Sequence, residues 1–126
     1  LTPAFAADKT KAVYHVADAE KVRFALGNIR NHIAGVGGAE NVEIVLVVHG
    51  PALKMFHDLE AANDVRESVA ALVKDNVGFA ACGNTKKKMT QQLGKEPALN
   101  SNATVVPAGV VRIVDLVDEG YILVKP

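Results

Sequence analysis

The chain has one cysteine among 126 residues, Cys82, so neither an internal disulfide nor a zinc site built from paired cysteines can form. The chemistry open to a lone thiol is nucleophilic, by attack as a thiolate and formation of a covalent sulfur intermediate. The residues around Cys82 favour that form. Ala80-Ala81-Cys82-Gly83-Asn84-Thr85 reads as a strand turning into a helix, where backbone N–H groups and the helix dipole favour an anion. Gly83 would let a substrate approach the backbone closely. Lys86, Lys87 and Lys88 add positive charge within one turn, although such a run is commonly a solvated helix face. The competing reading is an inert thiol packed under the helix, because free cysteine is often buried.

His49 stands directly after the apolar run Val42–Val48 and before Gly50-Pro51. At that strand end it can orient or deprotonate Cys82, or it can satisfy backbone groups. His15, His32 and His57 read as ordinary polar residues. The candidate catalytic residues are therefore Cys82 and His49, with Gly50, Gly83, Asn84 and Thr85 as candidate substrate contacts. A metal site on Cys82 and His49 ranks lower, because the scattered histidines lack ligand spacing. No Ser/His/Asp signature, P-loop or dinucleotide fingerprint is present. Gly35-Val36-Gly37-Gly38 falls at a helix end, the wrong place for a phosphate, so the sequence calls for no cofactor.

These residues need elements to position them, and the hydrophobic pattern supplies an alternating set. Lys11 to Val16 reads as a strand. Asp18 then caps a helix whose Val22, Leu26, Ile29, Ile33 and Val36 form one apolar stripe. Val42 to His49 is apolar enough for a central strand covered on both faces. Gly50-Pro51 opens a short helix through about Leu59. Asp64-Val65-Arg66-Glu67 reads as a capping box before a helix carrying Val65, Val69, Leu72 and Val73. Val77 to Ala81 is a third strand, Lys86 to Leu93 a polar helix and Thr104 to Val106 a brief fourth strand. Pro107 starts a helix through Val117, and Tyr121 to Lys125 closes the chain as a strand. The expected fold is α/β, a flavodoxin-like three-layer sandwich. Its mostly parallel sheet would have about five strands, with helices on both faces. Ligands in such sheets gather beyond the C-terminal ends of the strands, where His15, His49-Gly50 and Cys82-Gly83-Asn84-Thr85 all fall.

Three stretches carry a family resemblance: Val47-Val48-His49-Gly50-Pro51, Val77 through Cys82-Gly83-Asn84-Thr85, and Gly109-Val110-Val111-Arg112-Ile113 through Glu119-Gly120-Tyr121-Ile122. In these the chain resembles the DsrE/DsrF-like family of sulfur-handling proteins, over most of its length from Lys11 onward. The resemblance implies a small α/β subunit assembling into homo-oligomers, trimers or hexamers. It also implies a cysteine that carries sulfane sulfur as a persulfide, a role that maps onto Cys82. Partners would be sulfur donor and acceptor proteins or small thiols.

Composition narrows the remaining classes. Positive and negative side chains balance at 14 each, so nothing draws the chain to nucleic acid or an anionic membrane. The longest apolar run is far shorter than the roughly 18–20 residues of a membrane span. Residues 1–9 form an N-terminal segment in which Ala4-Phe5-Ala6 has the small-x-small pattern of signal-peptidase cleavage. The expectation is thus export to the periplasm, with a cytoplasmic location as the alternative, and a single domain over residues 10–126.

Overall fold

The computed structural model describes residues 9–126, and the cleavage motif Ala4-Phe5-Ala6 lies outside the described residues. The strands are β1 (Thr10–Val16), β2 (Val42–Val48), β3 (Gly78–Cys82), β4 (Ala103–Val106) and β5 (Ile122–Val124). Between them run α1 (Val22–Gly35), α2 (Asn63–Lys74), α3 (Gly83–Leu93) and α4 (Gly109–Asp118), with a 3-10 turn at Gly50–Phe56. All neighbouring strands pair in parallel, in the order β4-β3-β2-β1-β5. The three-layer α/β sandwich expected from the sequence is the fold observed.

Strand order decides how the layers fill. From β1 to β4 the chain steps across the sheet in one direction, so right-handed crossovers stack their connecting elements on one face. That face holds the main core. Val22, Leu26 and Ile29 of α1, Leu53 and Phe56 of the 3-10 turn, Val65, Val69 and Leu72 of α2, and Met89 of α3 pack on Tyr14, Leu46 and Phe79. Each large side chain buried there contributes roughly 1.5–3 kcal/mol. The step from β4 to β5 runs back, so α4 alone covers the other face. Its Leu116 packs on Val13, Val47 and Ala80. The cover is incomplete: Val110, Val111, Val114 and Val117 of α4 and Ile122 and Leu123 of β5 stay exposed, Val114 at 65% and Ile122 at 67%.

Local starts and stops differ from expectation in three places. Asp18 makes no side-chain cap hydrogen bond, and a 3-10 turn, Ala19–Lys21, leads into α1. α2 is capped by Ala62, not Asp64. Asp64 sits in the first turn and pairs with Arg23 of α1, whose Nε and Nη2 donate to the two carboxylate oxygens at 2.7 and 3.0 Å. A bidentate guanidinium is a stronger partner for a carboxylate than a helix N–H. Third, α3 begins at Gly83 rather than Lys86, so no loop separates it from Cys82, the last residue of β3.

Candidate active site

Side-chain alternation along the strands places His15, His49 and Cys82 on the face that α4 covers. Val13, Val47 and Ala80, each two residues earlier, form the small core under that helix. β2 and β3 pair with Val48 opposite Ala81, so His49 and Cys82 continue the same ladder past its last pair. Gly109, the first residue of α4, lies over both. A Cβ placed on Gly109 would stand 3.3 Å from Cys82 Cβ, 3.3 Å from Val47 Cγ1 and 3.5 Å from His49 Cβ. The chain leaves β3 toward α3 on one face and β4 toward α4 on the other. Adjacent strands whose exits diverge in this way open the crevice where α/β sheets bind ligands.

Cys82 sits at that divergence and is 6% exposed. Burial pushes its thiol pKa up. The hydroxyl of Thr85 and the backbone N–H groups of Gly109, Thr85 and Asn84 donate to the sulfur and outweigh burial, so the pKa falls below the ordinary cysteine value. Three of these donors belong to the first turn of α3 and one to the first residue of α4. The thiolate thus sits at two helix N-termini together. Thr85 is itself fixed, because its Oγ1 accepts the Gly50 N–H at 2.9 Å. Gly83 keeps the junction closed, since a Cβ there would lie 2.6 Å from the Val106 carbonyl oxygen and 3.1 Å from that of Pro107.

His49 has a second histidine as its partner. Its imidazole Nε2 is hydrogen-bonded to Nε2 of His15, and the ring centroids are 4.4 Å apart. Thr85 and the three backbone amides, not His49, hold the Cys82 sulfur. Burial lowers the His49 pKa. For His15 burial does the same, reinforced by His49 and Lys125. The sequence places His15 at this same edge, and its parity with Val13 puts it under α4 instead of in the main core. His32 accepts or donates at Nδ1 to the Tyr14 hydroxyl at 2.8 Å, and His57 is buried; both lie outside this cluster. Among the described residues no three His, Cys, Asp or Glu side chains are grouped to hold a metal ion.

Two grooves flank α3. One, of about 420 Å³, is lined by His49, Gly50, Pro51, Lys54, Asn84, Thr85, Lys88, Met89 and Gln92. The other, of about 600 Å³, runs between α3 and the β4–α4 connection past Gly83, Lys86, Lys87, Glu96 and Pro107. The expected substrate contacts Gly50, Asn84 and Thr85 therefore share one groove with His49, while Gly83 opens on the other. The lysine run is divided. Lys86 is ion-paired with Glu96 at 3.7 Å, Lys87 faces the second groove, and Lys88 faces the first.

No family model matches the chain, and no curated protein matches it. Among solved structures it is similar to MTH1491, a protein of unknown function from Methanobacterium thermoautotrophicum. The TM-score is 0.78 at 24% identity, over 94% of this chain and 100% of that one. The likeness extends the fold to a second sequence. Among the described residues no helix is long and apolar enough to cross a membrane.

Proposed function

We propose that the chain is a sulfur carrier of the DsrE/DsrF-like type, holding sulfane sulfur as a persulfide on Cys82 and passing it to a partner thiol. The observation that carries this reading is the place of Cys82, directly before the first turn of α3 and against Gly109 at the start of α4, where two helix N-termini favour the anion that must attack. The Cys82 thiolate attacks the outer sulfur of a donor persulfide R–S–SH. The Cys82–sulfur bond forms as the donor S–S bond breaks, and R–S⁻ leaves. The new persulfide is more acidic than the departing thiol, so one proton passes from it to R–S⁻. His49, on the groove wall and backed by His15, carries that proton. No external oxidant or reductant enters. The same cradle then stabilises Cys82–S–S⁻ until an acceptor takes the outer sulfur.

Incubation with inorganic polysulfide, followed by intact mass measurement, tests the reading. The folded chain gains one sulfur atom that a reductant removes, and Cys82→Ser gains none. Uptake unaltered in Cys82→Ser, or no uptake at all, contradicts it. In the latter case the near-complete burial of Cys82 would favour a small-ligand binding module with a structural cysteine. We further propose that the exposed apolar strip on α4 and β5 is the surface through which copies of the chain assemble. Sedimentation at tens of micromolar should then show a homo-oligomer, and a monomer would contradict it.

A further inference from the structure

We infer that the groove between the Gly50–Phe56 turn and α3 binds a small thiol bearing carboxylates, and that Cys82 is loaded from a low-molecular-weight anionic persulfide rather than from a protein-bound one. The inference rests on the sulfur-carrier reading and adds the chemical class of the donor. Three features carry it. The first is size: about 420 Å³ falls within the roughly 300–1,000 Å³ of small-molecule sites. The second is charge. Lys54 and Lys88 line this groove, no carboxylate does, and among the described residues neither lysine makes an ion pair. In the second groove Lys86 is already matched by Glu96, so its field is partly cancelled. The third is the arrangement of chemistry along the groove. Pro51 and Met89 offer apolar contact to a carbon skeleton, Gln92 and Asn84 offer amides, and Thr85 joins the groove to the sulfur through its hydroxyl. A ligand with its carboxylates on the two lysines would present its sulfur end toward Thr85, which stands between this groove and the buried Cys82.

The test uses S-methylglutathione, which carries two carboxylates and no transferable sulfur, and measures its binding to the full chain by calorimetry. The wild type binds it. A Lys54→Gln, Lys88→Gln double variant binds about tenfold more weakly, as the loss of two solvent-facing ion pairs predicts. The melting temperature of the double variant matches that of wild type, which shows that the loss of binding does not come from unfolding. Equal affinity in wild type and double variant, or no binding to wild type, overturns the inference and favours a protein donor. Loading by inorganic polysulfide separates this outcome from failure of the carrier reading. Loading without S-methylglutathione binding overturns the donor assignment alone, whereas binding without loading overturns the carrier reading and the donor assignment with it.

Discussion

In a Thr85→Val chain, alkylation of Cys82 near neutral pH slows by about tenfold or more, and its pH–rate curve moves to higher pH. The valine keeps the shape of threonine and removes the hydroxyl that donates to the sulfur, the largest of the influences holding the thiol pKa down against burial. A hydrogen bond to a charged group is worth roughly 1.5–3 kcal/mol, and about 1.4 kcal/mol is tenfold in an equilibrium. Thr85→Ser, which restores the donor, should recover most of the rate. The substitution also leaves the Gly50 N–H without its acceptor, so a loss of about 1–3 kcal/mol in stability accompanies it. A merely structural Thr85 would lower stability and leave the pH–rate curve where it is in wild type.

The second large effect is expected at Gly83. Its missing side chain lets the start of α3 close against the end of β4, where a Cβ would meet the Val106 carbonyl oxygen at 2.6 Å. Backbone atoms on both sides cannot swing away as a flexible side chain would. Gly83→Ala should therefore cost about 1–3 kcal/mol or more by overpacking and lower the melting temperature by several degrees. Because α3 and β4 must separate, the variant should also lose part of the donor set on Cys82 and alkylate more slowly in its folded state. Gly109→Ala makes an instructive comparison, since its new Cβ meets atoms only at 3.3 Å and beyond and should be milder. Equal melting temperatures for wild type and Gly83→Ala would contradict the close approach.

The sequence revealed elements more readily than their neighbours in space. Period and composition were sufficient for α1, where Val22, Leu26 and Ile29 are fully buried, and for the central strand β2. The Cys82–Thr85 stretch was legible because strand, cysteine and helix start are contiguous, so the α3 half of the thiolate cradle follows from local sequence alone. The α4 half does not. Gly109 reaches Cys82 only because β4 lies beside β3 and the chain leaves it on the opposite face, and strand order is a property of long-range pairing. The His15–His49 bond was hidden for the same reason: it requires β1 and β2 to be neighbours in a particular register. Asp64 misled because an acidic residue at a helix start suits a cap and an ion pair equally, and Arg23 lies 41 residues away. Lys54 gave no local signal, since a single lysine in a short turn becomes a groove residue only after α3 packs alongside.

Ultraviolet titration of the Cys82 thiolate, with Cys82→Ser as the blank, asks whether the fold holds this sulfur as an anion. It compares the folded chain with the same chain in denaturant, and the lone cysteine leaves a single thiol to follow. Burial alone would raise the folded-state midpoint, whereas the donors from Thr85, Gly109 and Asn84 lower it, so the two influences predict opposite signs. A lowered pKa also means that the unfolded chain binds more protons between the two midpoints, and stability in that window rises with pH. The folded midpoint is expected to lie below the denatured one. A folded midpoint at or above it would show that burial prevails, and Cys82 would then be a packed structural thiol.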